Sequence, residues 1–272
     1  MTATDYPFHY IDSGHKNSPP ILFLHGFMGC ADDWQSIVSV LSNDFYCIAV
    51  DLPGHGKTPI NKTDSMGAYA DGLAGFFEKL RIQKCALVGY SMGGRLALYL
   101  AIRYPKIFQS VILESASPGL KTALERRARI EHDNMLAAEL EKCDFAAFLD
   151  SWYRQPLFAD MRRHPNYQAL LHRRMQNNPQ NLAASLRCMG TGRQPTLWHE
   201  LAGIELPVLL LAGERDKKFV AIHTEINAHC KSAAQTIIRD CGHNIHFEVP
   251  EIYAKHIRKF IRKIKEETQW ER

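Results

Sequence analysis

The feature that most constrains the fold of this sequence is an alternation of short apolar runs with helix-length segments. The runs have the length and β-branched content of strands buried on both faces. They are "ILFLHG", "FYCIAVDLPGHG", "CALVGYS", "SVILES", "PVLLLAGE" and "TIIRDCG". Helix-length segments at 31–42, 65–80 and 92–104 separate the early runs. Because strand–helix–strand repeats build parallel sheets, we predict an α/β fold whose mostly parallel, doubly wound sheet has helices on both faces.

The alternation is interrupted in the middle of the chain. No strand-like run occurs between about Pro118 and Leu201, and this stretch is helical in pattern and rich in arginine. At 272 residues the chain is long enough for one sizeable core with an insertion. We therefore predict a core formed by 1–118 and 201–272, with a helical cap inserted at 119–200.

Composition excludes several classes of function. The net charge of +4 is too small to favour nucleic acid, and no apolar run is long enough to insert in a membrane. The seven cysteines stand singly, so we expect reduced thiols and a cytoplasmic location. The stretch "MTATDYPFHYIDSG" has no basic segment followed by an apolar run, so we expect no signal peptide. The histidines show no metal-ligand spacing, so we expect no metal. Composition carries no prediction of the oligomeric state.

The C-terminal segment "EIYAKHIRKFIRKIKEE" is amphipathic. A basic membrane-surface helix is one interpretation, but a final helix packed on the sheet with a solvated basic face is favoured. The expected apolar face consists of Ile252, His256, Phe260 and Ile264.

A serine stands between two glycines where a predicted strand meets a predicted helix. Gly89, Ser91 and Gly93 form G-x-S-x-G, and a further glycine follows. This context is typical of a nucleophile elbow, a strained turn that presents the serine at a helix N-terminus. The sequence therefore predicts Ser91 as an activated hydroxyl.

A serine hydroxyl needs a histidine to take its proton and an acid to orient that histidine. Asp216 follows the run "LLLAG", and His243 follows "TIIRDCG", so both lie just past strand ends in the chain order that this elbow requires. We predict a Ser91–His243–Asp216 triad. The competing residues are Glu214 and Asp240 for the acid and His246 for the base.

Two backbone amides should form an oxyanion hole beside the serine. One is that of Met92, directly after Ser91, and the other is that of Phe27 in the loop "FLHGFMG". The turn "DLPGHGKT" is interpreted as a structural loop whose glycines permit the turn.

With its HGF loop, DLPGHG turn, GxSxG, GERD and GHN in order, the whole chain resembles the α/β-hydrolase fold superfamily. A closer resemblance rests on motifs of core and cap: "VGYSMGGR", "ERRARIEHD", "SWYRQPLF", "RRMQNNPQNLAASL" and "GHNIHFEVP". With these motifs it resembles the 2-succinyl-6-hydroxy-2,4-cyclohexadiene-1-carboxylate synthases of menaquinone and phylloquinone biosynthesis. That resemblance implies a lyase that eliminates pyruvate from a small tricarboxylate without a cofactor.

The resemblance also implies substrate-binding residues. Guanidinium groups hold carboxylates well, and the family's arginines match Arg95, Arg129 and Arg174 in this sequence. The family's aromatic residues match Tyr90, Trp152 and Tyr153. Arg126 competes with Arg129, whereas Arg127, Arg162 and Arg163 are interpreted as a solvated helix surface.

The implied chemistry uses Ser91 as a base that takes a proton from the carbon next to a ketone, with the enolate in the oxyanion hole. Two alternatives stay open. One is a serine hydrolase of esters or of diketone C–C bonds with the same triad, and the other is a non-catalytic receptor for an acidic ligand.

Overall fold

The computed structural model describes residues 6–61, 64–142 and 144–270, with the side chains of 267–270 outside that description. Within these residues seven strands form one sheet in the order β1-β3-β2-β4-β5-β6-β7. They are β1 (Tyr10–Ser13), β2 (Pro20–Leu24), β3 (Tyr46–Val50), β4 (Cys85–Tyr90), β5 (Phe108–Glu114), β6 (Val208–Gly213) and β7 (Ala233–Ile238). Only β1 is antiparallel to its neighbour. The predicted mostly parallel sheet is confirmed, whereas β1 was not predicted.

Helices pack on both faces of the sheet because the central strands are apolar on both faces. The core helices are α1 (Gln35–Leu41), α2 (Met66–Lys79), α3 (Met92–Arg103), α9 (Lys217–His229), α10 (Ile245–Glu248) and α11 (Pro250–Trp270). In β2, Ile21 and Phe23 join the apolar cluster that contains residues of α1 and α11, while Leu22 and Leu24 join the cluster that contains residues of α2 and α3.

Five α-helices occupy the chain between β5 and β6 in the described residues. They are α4 (Ala123–Leu140), α5 (Phe145–Tyr153), α6 (Ala159–Arg163), α7 (Tyr167–Arg174) and α8 (Pro179–Met189). They bury an apolar cluster of their own, and Met28 from the loop after β2 is fully buried within it. This arrangement accords with an inserted cap, although the division at 119–200 stays a prediction.

The C-terminal helix α11 packs on the sheet with a different face from the one predicted. The buried side chains are Tyr253, Ala254, Ile257 and Ile261, whereas Ile252 is 46% exposed. Residues spaced four apart drift around a helix of 3.6 residues per turn. A face chosen from that spacing alone was therefore displaced by about one residue from the face that is buried. The predicted face was therefore wrong. No helix of the described chain is long and apolar enough to span a membrane.

The cysteines and the "DLPGHGKT" turn were predicted to be reduced thiols and a structural loop, and their contacts agree with those predictions. Cys30, Cys47, Cys85, Cys230 and Cys241 are free thiols, and Cys143 lies outside the described residues. In the turn, the buried Asp51 carboxylate accepts hydrogen bonds from the amides of Ala31 and Lys57. Gly54 and Gly56 take φ values of 82° and 52°, which glycine adopts without strain.

Candidate active site

Ser91 lies in a sharp turn between β4 and α3. Its φ is 48°, a strained value for a residue with a side chain. The start of the helix approaches the neighbouring strand β2 so closely that a Cβ on Gly93 would lie 2.3 Å from the carbonyl oxygen of Leu24. A Cβ on Gly89 would lie 2.5 Å from the carbonyl oxygen of Gly93. The glycines are therefore required by contact, and the turn has the geometry of a nucleophile elbow.

His243 and Asp216 form a buried hydrogen-bonded pair. The imidazole Nδ1 lies 2.6 Å from Oδ2 of Asp216, and both side chains are 3% exposed. Since an ionised carboxylate only accepts, Nδ1–H donates and Nε2 is left to take a proton. The other oxygen of Asp216 accepts the amide of Phe219 at 3.3 Å, which caps α9 and fixes the carboxylate.

The competing candidates make other contacts. His246 donates from Nδ1 to the fully buried Glu114 at 2.8 Å and stacks on Trp34. Glu214 accepts the backbone amide of Asp240 at 3.3 Å, and the Asp240 side chain is 85% exposed. None of the three is paired with Ser91, His243 or Asp216 in the described residues.

The loop that carries His243 is held by a second carboxylate. Glu248 accepts the amide of Gly242 at 2.7 Å and that of Asn244 at 3.3 Å, on either side of His243. The carbonyl oxygen of His243 accepts Ser115 Oγ at 2.9 Å. Burial raises the pKa of Glu248. The backbone on both sides of the imidazole is thus fixed by side chains that sequence reasoning did not single out.

The two amides predicted for an oxyanion hole are available. Among the described residues, no acceptor is bonded to the backbone N–H of Phe27 or of Met92. The Phe27 loop is shaped by Gly26, whose carbonyl oxygen accepts the amide of Gly29 at 2.9 Å and His25 Nδ1 at 2.7 Å. Burial lowers the pKa of His25, which favours the neutral ring in this turn.

A cavity of about 490 Å³ opens beside Ser91. Ser91, His243, Phe27 and Met92 line it together. So do all six predicted substrate-binding residues, which are Tyr90, Arg95, Arg129, Trp152, Tyr153 and Arg174. Asp216 is the one predicted site residue that does not line the cavity, because it lies behind His243.

The three predicted arginines differ in how their charges are balanced. Arg174 pairs with the buried Asp33, and Arg129 pairs with Asp133 at 2.7 Å. Arg95 is 8% exposed and forms no ion pair with any described carboxylate. Burial, and secondarily the charge of Arg129, lowers the pKa of Arg95 to about 10. The charge of Asp133, the acid that pairs with Arg129, acts in the opposite direction. The guanidinium of Arg95 therefore remains charged near neutral pH without an acid paired directly with it.

Arg174 is held by groups that motif reasoning missed. Its Nη1 lies 2.7 Å from Oδ2 of Asp33, and its Nε donates to the hydroxyl of Tyr153 at 3.0 Å. Burial opposes the charge, but Asp33 raises the pKa of Arg174 above its usual value. No motif in "MGCADDW" marks Asp33, since its role depends on Arg174, 141 residues away in the sequence.

The other cap arginines lie outside the cavity. Arg126, the competitor of Arg129, approaches the carbonyl oxygen of Gly192, and Arg127, Arg162 and Arg163 are exposed. In the part of the chain that the structure describes, no cluster of three or more His, Cys, Asp or Glu side chains could hold a metal ion.

The geometry and the sequence identify the same class of protein. Residues 19–250 match the family described as "alpha/beta hydrolase fold". MenH from S. aureus has a solved structure that superposes with a TM-score of 0.89 at 29% identity, covering 96% of this chain and 99% of that one. The chain therefore belongs to the α/β-hydrolase fold family, as the motifs predicted.

Curated relatives narrow the assignment. A Bacillus subtilis protein, provisionally named a 2-succinyl-6-hydroxy-2,4-cyclohexadiene-1-carboxylate synthase, is 39% identical over 93% of this chain and 94% of its own length. A synthase of that name from Citrobacter koseri is 36% identical, covering 88% of this chain and 92% of its own length. Within the fold family, the chain belongs to the 2-succinyl-6-hydroxy-2,4-cyclohexadiene-1-carboxylate synthases, which confirms the predicted resemblance.

Proposed function

We propose that this chain is the lyase that its relatives' names describe. It converts 2-succinyl-5-enolpyruvyl-6-hydroxy-3-cyclohexene-1-carboxylate into 2-succinyl-6-hydroxy-2,4-cyclohexadiene-1-carboxylate and pyruvate, without a cofactor. The observation that carries the proposal is a cavity in which a serine elbow faces Arg95, a buried guanidinium with no described carboxylate partner. An anionic substrate supplies the missing negative charge. Scattered single cysteines support a cytoplasmic location as part of the proposal.

The first step is removal of a proton from ring carbon 2, next to the succinyl ketone. Ser91 Oγ takes this proton while His243 Nε2 takes the hydroxyl proton of Ser91. The electron pair of the C–H bond moves onto the ketone oxygen, and the amides of Phe27 and Met92 stabilise the resulting enolate. Both amides lack acceptors among the described residues, which supports this role.

The second step is elimination. As the ketone reforms, the electron pair creates the C2–C3 double bond, the ring double bond moves to C4–C5, and the C5–O bond breaks. The leaving group is the enolate of pyruvate, and His243 returns the proton to its methylene carbon. Asp216 stabilises the imidazolium between these steps through the 2.6 Å contact.

The cavity walls bind and orient the ring. Arg95, Arg129 and Arg174 are placed around the carboxylates, with Arg95 carrying the charge that the protein itself leaves unbalanced. Trp152 and Tyr90 line the cavity as flat apolar surfaces against the cyclohexene ring. The Tyr153 hydroxyl, which accepts from Arg174, lies on the same wall.

The test is pyruvate release from the authentic substrate, followed with lactate dehydrogenase. We expect turnover by the wild type and a loss of about 10²- to 10⁴-fold in kcat for Ser91→Ala. Ser39→Ala, at an exposed serine, is the matched control and should leave turnover unchanged.

The same protein preparation separates the alternatives. Turnover of nitrophenyl esters or ring-cleavage diketones without pyruvate release would establish a hydrolase that uses the same triad. Tight binding of the tricarboxylate substrate without any turnover would establish a receptor. Either result would refute the proposed lyase function.

A further inference from the structure

Gln194 lies at the junction of the cap and the core. It is fully buried in the segment between α8 and the 3-10 helix Trp198–Gly203, where the chain returns from the cap. Its Nε2 donates to the carbonyl oxygen of Ser117 at 3.1 Å, where the chain leaves β5 for the cap. One amide side chain therefore ties the outgoing and returning segments together.

The other end of the same amide holds Arg95. Gln194 Oε1 accepts Arg95 Nη1 at 3.2 Å, and the carbonyl oxygen of Met189 accepts Nη2 at 2.9 Å. Both acceptors are neutral. A guanidinium has five N–H donors, so three remain for other acceptors, and Arg95 lines the cavity beside Ser91.

A glutamate at position 194 would have nearly the same shape and would form an ion pair with Arg95, although its second oxygen could not donate to the carbonyl oxygen of Ser117. Buried guanidinium groups are usually paired with carboxylates because an unbalanced buried charge is costly. The nearby Arg129 and Arg174 follow this rule, with Asp133 and Asp33. The amide at position 194 departs from it, which leaves a full positive charge directed at the cavity.

We propose that Gln194 is a positioning and specificity-determining residue that fixes the orientation of Arg95 while leaving its charge free for a substrate carboxylate. The inference rests on the proposed function, since it assigns Arg95 to the anionic substrate. The inference predicts that selection of polycarboxylates over neutral ligands depends on two residues. Arg95 supplies the positive charge, and the uncharged Gln194 leaves that charge free.

The decisive variant is Gln194→Glu, with Gln176→Glu on the exposed cap surface as a control of equal charge change. Two quantities are measured on the full-length protein: Tm, and the competition of tricarballylate, a simple tricarboxylate, with the substrate. For Gln194→Glu we expect Tm to change by no more than about 2–4 °C, because the new ion pair with Arg95 is offset by the loss of the donor to the carbonyl oxygen of Ser117. We also expect KM and the inhibition constant of tricarballylate to rise by about tenfold or more. The control should change neither.

Binding is thus lost without a matching loss of stability, which a merely structural glutamine would not produce. A large fall in Tm together with lost binding would assign Gln194 to folding alone and overturn the inference. Unchanged tricarballylate binding in Gln194→Glu would also overturn it.

Gln194→Met covers the case in which the glutamate variant does not fold. It removes the acceptor without adding charge, and KM should rise by about tenfold while Arg95 loses its orientation. Wild-type KM in this variant would contradict the inference. Tricarballylate binding can also be followed as a rise in Tm without turnover. A wild type that binds tricarballylate but releases no pyruvate would therefore refute the proposed function while leaving the role of Gln194 testable.

Discussion

Arg174 of the cap and Asp33 of the core form an ion pair with 2.7 Å between Nη1 and Oδ2, and each side chain is 5% exposed. Asp33 follows the loop that carries Phe27, and it also pairs with Arg173 at 3.3 Å. Asn177, just after α7, donates to the carbonyl oxygen of Met28 at 2.8 Å. The C-terminal end of α7 is thus attached to the loop that supplies one of the two candidate oxyanion amides.

Loss of one partner of this pair should be strongly destabilising. Arg174→Met leaves Asp33 buried without its main partner, so we expect the free energy of unfolding to fall by about 3–5 kcal/mol in urea denaturation. The matched control is Arg154→Met, which breaks an exposed pair with Asp150 and should cost about 0–1 kcal/mol. In the double variant Arg174→Met with Asp33→Leu, the losses should be less than additive. Strict additivity would show that the two side chains are not coupled.

Arg95 should affect substrate binding more specifically. Arg95→Met removes the buried charge that has no described acid partner, so KM should rise about ten- to a hundredfold in steady-state pyruvate release. Arg127→Met removes an exposed cap arginine and should leave KM unchanged. Equal effects of the two substitutions would mean that net charge, rather than position, attracts the substrate.

Glu248 should act on catalysis through the His243 loop. Glu248→Gln replaces one acceptor oxygen with a donor that faces the amide of Gly242 or that of Asn244, so the imidazole loses its fixed position. We expect kcat to fall about tenfold with little change in KM. Glu251→Gln, at an exposed position three residues on, is the control. Partial recovery of kcat in Glu248→Asp would separate positioning from simple misfolding, and an unchanged kcat in Glu248→Gln would refute the role.

His223 should make stability depend on pH. It is fully buried beside Ala116, and burial lowers its pKa to about 4. An unfolded histidine binds a proton near pH 6.5, so between pH 6.5 and pH 4 the unfolded state binds more protons than the folded one. The free energy of unfolding should therefore fall as the pH falls through this window, by about 3 kcal/mol from His223 alone.

The measurement is urea denaturation at several pH values for the wild type and His223→Gln. The variant should show a shallower fall between pH 6.5 and pH 4, whereas His199→Gln, at an exposed histidine, should follow the wild type. Parallel curves for all three proteins would show that His223 does not titrate in this range.

The sequence predicted those features that depend on residues close together in the chain. The elbow is local because strand, tight turn and helix are consecutive, and the positions of Asp216 and His243 follow from where strands end. The strand β1 was missed because its four residues, "YIDS", are too short and polar to give an alternating pattern. The face of α11 was misplaced because a few residues of spacing do not fix a helix phase.

The sequence motifs could not predict features that depend on partners distant in the sequence. Gln194 and Asp33 each act on a residue that another element supplies, and neither their types nor their neighbours in sequence mark them. Glu248 acts within six residues, on the amides of Gly242 and Asn244, but no motif marks those contacts. The different charge balance of Arg95 and Arg174 also depends on residues that are distant in the sequence. Both are arginines in matching family positions, but Arg174 is paired directly with a buried acid and Arg95 is hydrogen-bonded to an amide.

The burial of Met28 within the apolar cluster of the cap has a consequence for how such enzymes diversify. A loop of the catalytic core is completed by side chains of the insertion, so the insertion is not an exchangeable module. A chimaera that carries a foreign cap would leave Met28 in solvent and Asp33 without Arg174. Substrate preference in this lineage is therefore expected to change by point substitution inside the existing cap rather than by recombination of whole caps.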